Sequence, residues 1–394
     1  MTYNFDEVIP RRNTNSLKYD FAAKYGKPED VLPLWVADMD FKIPPEVTQA
    51  LLNSASHAIY GYTDTKSDYF RAVSSWFARR FDYAIKEEWL IKTPGIVFAL
   101  GMAVKAYTSP GDAILIQKPL YYPIENTIVA NGRVAIDNPL VYSDGKYTID
   151  MADFEKKIAE TNAKVFILCN PHNPVGRCWT REELLEMGRI CKKYNCVVVS
   201  DEIHCDIVYK GHKHLVFSTV HPDFLDNSII CTAPSKTFNV AGLQVSNIFI
   251  ASENLRKKFK HEIHATGYSQ LNTMGLVACQ AAYEQGEAWL EQLMEYLAKN
   301  AAFLENFLSE KLPQVKLVKP EGTYLLWLDF SAVLNSLKLT HDEFDSLITN
   351  KAGLWLSSGT VFGAAGAGFW RVNIACPRSV LETALLRLEN LLVA

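Results

Sequence analysis

The residues best suited to chemistry lie far apart in the chain but in similar local settings. Lys236 follows the apolar run Ser228-Ile229-Ile230-Cys231-Thr232 and is flanked by Ser235 and Thr237. A lysine in a partly desolvated pocket loses basicity and can attack a carbonyl to form a Schiff base. Taken alone, it reads equally as a solvated loop lysine, the commoner case. Asp201 closes Val197-Val198-Val199-Ser200 and opens Asp201-Glu202-Ile203-His204. A carboxylate buried there needs a cationic partner, with a helix cap or a structural salt bridge as the plain alternative. Asn173 lies in the loop Asn170-Pro171-His172-Asn173-Pro174-Val175-Gly176, and Arg371 in Phe369-Trp370-Arg371-Val372-Asn373-Ile374. The tyrosine pair Tyr121-Tyr122 offers faces that can stack on a planar ring or simply pack.

Placing such residues together requires a scaffold, and the chain alternates helical and strand-like segments from about residue 67 to 280. That alternation predicts a largely parallel sheet with helices on both faces. Ser67 is expected to cap a helix whose apolar positions are Phe70, Val73, Phe77 and Phe81. A helix over Ile96 to Tyr107 ends at the turn Ser109-Pro110-Gly111-Asp112 and is followed by the strand Ala113-Ile114-Leu115-Ile116. Lys164 to Leu168 and Val197 to Val199 read as strands, separated by a helix that Thr180 and Glu183 begin with capping-box spacing. In open parallel sheets ligands bind outside the carboxyl ends of the strands, so Asn173, Asp201 and Lys236 can converge. After about residue 285 a helix from Ala288 to Leu312, strands around 324–328 and 369–374, and a last helix suggest a smaller α+β domain.

Composition narrows the partners. The 394 residues, 48% hydrophobic and 21% charged, describe an ordinary globular protein with room for two or three domains. A net charge of −4 leaves no basic excess for phosphate backbones, so no nucleic-acid partner is expected. Eight cysteines without a C-x-x-C pair read as reduced thiols. The stretch Met1-Thr2-Tyr3-Asn4-Phe5-Asp6-Glu7 lacks the charged start and apolar core of a leader, so the expected location is the cytoplasm. The uncharged segment Ala352 to Trp370 contains five glycines with Ser357, Ser358 and Thr360, and reads as turns and buried loop rather than a membrane span. His212 and His214, with His204 and Cys205, are zinc-type ligands, but no second short-spaced pair accompanies them and no metal is expected.

Lys236 and Asp201 together match the division of labour in pyridoxal phosphate sites, where a lysine holds the aldehyde and an acid keeps the ring nitrogen protonated. The order Asn173-Pro174-Val175-Gly176, Asp201-Glu202-Ile203-His204, Ser235-Lys236-Thr237-Phe238-Asn239 and Arg371-Val372-Asn373-Ile374-Ala375 resembles fold-type I enzymes of the aminotransferase class I/II superfamily. Tyr3-Asn4-Phe5-Asp6, Arg11-Arg12-Asn13-Thr14, Leu34-Trp35-Val36-Ala37-Asp38-Met39-Asp40-Phe41, Tyr60-Gly61-Tyr62-Thr63 and Ile374-Ala375-Cys376-Pro377-Arg378 resemble its MalY/PatB branch, the cystathionine β-lyases and cysteine-sulfur lyases.

The resemblance implies an α/β, three-layer PLP-transferase fold. A large domain over 46–284 would hold a mainly parallel sheet, and 1–45 with 285–394 would form an N-terminal arm and a small α+β domain. It makes pyridoxal 5'-phosphate the cofactor and Lys236 its covalent anchor and proton shuttle. Asp201 becomes the partner of the ring nitrogen and Asn173 that of the ring hydroxyl, with Tyr121 stacked on the ring and His204 beside it. The phosphate would rest on the N–H groups of Gly95, Ile96 and Val97 and on the Ser235 hydroxyl. Tyr62 would reach it from the neighbouring subunit of a homodimer. Arg371 would bind the substrate carboxylate, with Tyr122 and Trp35 facing the substrate.

Two departures weigh against transamination. His204 stands where aminotransferases commonly have a tyrosine, and Gln244 where many have a phosphate-binding arginine. The implied activity is α,β-elimination from L-cystathionine or cysteine-type substrates to a thiol (homocysteine or sulfide), pyruvate and ammonia. A class I/II aminotransferase is the alternative, and a regulatory protein acting through a partner is a reading of another class.

Overall fold

The computed structural model describes residues 2–393; Met1 and Ala394, the outer bounds of the expected domains, lie outside the described residues. Seven strands form the main sheet: β1 (Leu90–Thr93), β2 (Ala113–Ile116), β3 (Val134–Asp137), β4 (Val165–Cys169), β5 (Val197–Asp201), β6 (Ser228–Thr232) and β7 (Ser246–Phe249). Their spatial order is β1-β7-β6-β5-β4-β2-β3. Neighbours from β6 through β3 pair in parallel, and β7 runs against both β1 and β6. The expected α/β class and mainly parallel sheet are thus present, with one reversed strand.

Alternation of side chains explains why the sheet must be covered twice. Ile114, Ile116, Val165, Ile167 and Val199 point into one apolar cluster with Leu100, Ile124 and Phe259 of the helices Ile96–Tyr107, Tyr122–Ala130 and Glu253–Ala265. Leu115, Phe166, Leu168 and Val198 point the other way, to Phe77, Phe154, Met187 and Leu276 of the helices Ser67–Phe81, Met151–Thr161, Arg181–Lys193 and Thr273–Gln285.

Ser67 is a correction: it is the first residue inside its helix, and Lys66 precedes it as a cap position without a side-chain bond. The buried stripe of that helix is Tyr69, Ala72, Val73, Trp76 and Phe77, with Phe70 and Phe81 only half-buried. The capping box at Thr180 and Glu183 is complete. The long helix spans Glu287–Lys311, one residue earlier than expected at each end.

A second, antiparallel sheet lies downstream, in the order Lys316–Val318, Leu325–Asp329, Phe369–Asn373, Ser357–Ser358. Arg371 sits in its third strand, opposite Trp327 on one side and Ser357 on the other. The N-terminal segment is laced to this region: Leu32–Pro33 pairs in parallel with Leu354–Trp355 in a separate two-stranded sheet, Asn373 N–H donates to the Leu34 carbonyl at 2.9 Å, and Asp40 N–H to that of Ala375 at 2.9 Å. No helix among the described residues is long and apolar enough to cross a membrane.

Candidate active site

The carboxyl ends of five parallel strands deliver the candidate residues to one edge of the main sheet. β5 ends on Asp201, β4 leads to Asn173, β6 to Ser235 and Lys236, β2 to Tyr121 and Tyr122, and β1 to Gly95. Lys236 lies in a one-turn helix, Pro234–Thr237, whose last residue is fixed from behind. Thr237 Oγ1 donates to buried Asp206 at 2.8 Å, and the same carboxylate accepts from Trp76 Nε1 at 3.1 Å and Arg80 Nε at 3.2 Å.

Charge in this cluster is poorly neutralised, and burial decides how each group responds. Desolvation lowers Lys236 to about 8, helped by the Arg371 charge and opposed by Asp38 and Asp201. Asp201 is buried and raised to about 7 by desolvation, against one backbone bond from Ile203 N–H at 3.2 Å. Among the described residues it has no ion-pair partner within 4 Å. His204 is pushed down to about 3, by desolvation first and then by the Lys236 and Arg371 charges, and its Nδ1 is buried without a partner. Such opposed shifts in neighbouring groups are typical of catalytic sites.

Arg371 is buried, has no acidic partner among the described residues and is lowered to about 10 by desolvation. Its guanidinium donates to Asn173 Oδ1 at 2.9 Å, to the Trp35 carbonyl at 2.7 Å and to Ser357 Oγ at 3.1 Å, while Nε has no partner. A buried cation surrounded only by neutral acceptors is suited to an incoming carboxylate. Asn173 commits its oxygen to Arg371 and keeps its amide hydrogens for another partner. Tyr121 is half-buried, its ring 5.6 Å from that of Tyr122, which is 45% exposed.

The helix Ile96–Tyr107 begins at Gly95 without any side-chain cap. Gly95 takes φ +157°, a value that L side chains rarely adopt, and the first N–H groups of the helix favour an anion. Ser235 is half-buried. Tyr62 is not brought to the cluster within this chain: it is 99% exposed. Trp35 reaches Arg371 through its carbonyl rather than its ring, which stacks on Trp355 at 4.2 Å. Gln244 is exposed, with φ +51°. His214 is committed to Glu202 at 2.8 Å, His212 is exposed and Cys205 is buried. Among the described residues no group of three or more His, Cys, Asp or Glu could hold a metal ion.

Residue types alone gave no role to the N-terminal segment 35–38, yet each of its carbonyls accepts a bond from the site. Trp35 takes Arg371; Val36 and Asp38 take Asn373 Nδ2, each at 2.6 Å; Ala37 takes Lys236 Nζ at 2.6 Å and Tyr324 Oη at 2.9 Å. The segment is tied down by a buried ionic cluster. Arg11 meets Asp38 and Asp40, each at 2.7 Å, and fully buried Lys18 meets Asp40 at 2.8 Å. Asn239, three residues after Lys236, clasps Met39 and Phe41 through its side chain. The motif Leu34 to Phe41 was the one signal in the sequence that pointed there.

The geometry fits pyridoxal 5'-phosphate part by part. A desolvated lysine suits its aldehyde, an unpaired buried acid its ring nitrogen, and an uncapped helix start its phosphate. A mainly parallel sheet with this set at its carboxyl edge defines a PLP-transferase fold.

The chain belongs to the aminotransferase class I and II family, whose sequence profile matches residues 29–388. It is 42% identical, over 98% of its length and 99% of the relative's, to cystathionine beta-lyase PatB of Bacillus subtilis (strain 168). A PLP-bound protein of Clostridium difficile 630, described provisionally as an aminotransferase, superposes with a TM-score of 0.96 at 43% identity, covering 99% of this chain and 100% of that one. The PLP-bound C-S lyase of Staphylococcus hominis superposes with a TM-score of 0.94 at 36% identity, covering 100% and 99%.

Proposed function

We propose that the chain is a pyridoxal phosphate-dependent carbon-sulfur β-lyase, acting by α,β-elimination on L-cystathionine or another cysteine-type amino acid. The choice of elimination rests on full-length likeness to PatB, a relative named for that reaction. Bound pyridoxal phosphate supplies an aldehyde that captures the substrate amine and a ring that accepts the electron pair released at the α-carbon.

The protein's own groups do the rest. Arg371 holds the substrate carboxylate and so fixes the α-carbon over the amine of Lys236. Lys236, its basicity lowered by burial, takes the α-proton and then returns a proton to the departing sulfur, with Tyr122 as the other donor in reach of substrate. Asp201, a desolvated carboxyl that lacks a cationic partner, would ionise opposite the ring nitrogen and so keep that nitrogen protonated. Asn173 would hold the ring hydroxyl through its amide, with His204 alongside, and Tyr121 would offer its face to the ring. Gly95, Ile96, Val97 and Ser235 receive the phosphate. The thiol leaves, and hydrolysis of the remainder gives pyruvate and ammonia.

The same reading includes a homodimer in which Tyr62 completes the partner's phosphate site, supported by its 99% exposure. It keeps the division into 46–284 and 1–45 with 285–394. It places the enzyme in the cytoplasm, in keeping with eight cysteines that are all free and buried.

Supplying L-cystathionine, and separately an amino acid with 2-oxoglutarate, distinguishes elimination from transamination. Pyruvate should form in the first reaction and little glutamate in the second, and Lys236→Ala should abolish pyruvate. Glutamate as the main product would make the protein an aminotransferase.

A further inference from the structure

Beneath the unpaired charge of Arg371 lies a ring. The guanidinium carbon stands 4.8 Å from the centroid of Phe362, which is 2% exposed. An aromatic face attracts a cation above it, more strongly where water is excluded. The hydrogen bonds to Asn173, Trp35 and Ser357 hold the guanidinium from its N–H groups, and the face of Phe362 lies beneath its carbon.

Phe362 is itself held from several sides. Trp327 meets it edge-on, with centroids 5.4 Å apart. Its carbonyl accepts the Leu120 N–H at 2.8 Å, directly before Tyr121 and Tyr122. The loop bearing it closes where Gly359 touches Gly366: a Cβ on Gly359 would lie 2.0 Å from the Gly366 carbonyl oxygen, and nothing larger than glycine fits. The uncharged stretch 352–370 therefore builds a rigid bracket from the second sheet to the Tyr121-Tyr122 loop, with an aromatic face under the arginine.

We propose that Phe362 is a positioning residue for substrate recognition, its ring seating the Arg371 cation so that the guanidinium hydrogens left free by Asn173, Trp35 and Ser357 meet the substrate carboxylate. This rests on the reading of Arg371 as the carboxylate anchor. The ring touches no reacting atom, so its removal should act on binding of the carboxylate and leave the amine chemistry in place.

The test titrates the holoenzyme with L-alanine and with ethylamine, which differ only by the carboxylate, following the visible band of the bound cofactor. Phe362→Leu and Phe362→Met, which both remove the aromatic face and keep an apolar side chain, the methionine being the more adaptable filler, should weaken L-alanine about tenfold, the scale of a desolvated cation–π contact, and leave ethylamine within about twofold. Phe362→Tyr, which keeps the face, should stay within about threefold for both ligands. With a sulfur amino acid, KM should rise and kcat change less. Equal weakening of both amines would mark the ring as packing only, and unchanged L-alanine binding would remove any role; either result overturns the proposal. Should Phe362→Leu fail to load cofactor, Phe362→Met decides. Binding is read without product, so a protein that proved not to be a lyase would still report on Phe362.

Discussion

Two buried imidazoles carry the clearest titration consequence of individual residues. His172 and His204 are both lowered to about 3, chiefly by desolvation. His172 is held at Nε2 by the Gln117 carbonyl at 3.2 Å and has an unpartnered Nδ1. An unfolded imidazole takes its proton near the ordinary value of 6.5, so from there down to about 3 the unfolded chain binds more protons and acid weakens the fold. Asp201 works in the opposite sense: its folded carboxyl titrates at about 7 against an ordinary 3.8, so stability falls as pH rises between them. Asp206 and Asp137, also raised by desolvation, act in the same sense as Asp201 and against the imidazoles. His172→Gln should therefore lower the slope of the unfolding free energy with pH, read from urea denaturation, by about one proton, at most ~1.4 kcal/mol per pH unit. An unchanged slope would show that His172 protonates equally in both states.

At the scale of elements, caps and strand ends made the site legible. The helix Arg181–Lys193 starts where Thr180 and Glu183 bond each other's backbone N–H, at 3.2 and 2.8 Å. Thr180→Ala should cost about 1 kcal/mol in urea denaturation while leaving kcat unchanged, since the exposed Thr180 side chain bonds the Glu183 N–H rather than any candidate site residue. A change in kcat would mean that the helix start is coupled to the site. Lys236, Asp201 and Asn173 could be placed from sequence because each follows an apolar run, and a parallel sheet collects the ends of such runs, whereas the tyrosine pair was placed through the family resemblance. Arg371 came from the family motif. β1, β3 and β7 were not legible: Leu90–Thr93 carries a lysine, Val134–Asp137 has no fully buried residue and Ser246–Phe249 begins with two polar residues. The carbonyls of 35–38 were hidden for a deeper reason. A backbone acceptor has no residue type, so only folding reveals which segment supplies it.

For the whole molecule the outstanding surface is the segment after the helix Pro45–His57, where Ile59, Tyr60 and Tyr62 are 71%, 60% and 99% exposed. Large side chains so open to water in one stretch call for a cover, and a two-fold partner would provide it. Sedimentation should give about twice the 44.4 kDa chain mass. Tyr62→Ala should keep that mass and release pyridoxal phosphate several-fold faster on dialysis. A monomer with full cofactor affinity would refute the shared site. The N-terminal arm has a separate consequence. Lys18 is fully buried against Asp40, in the cluster that pins the segment whose carbonyls face Lys236 and Arg371. An acylating reagent can reach that amine only when the arm has peeled away, so the rate at which position 18 becomes labelled is a direct clock for how often the catalytic chamber falls open.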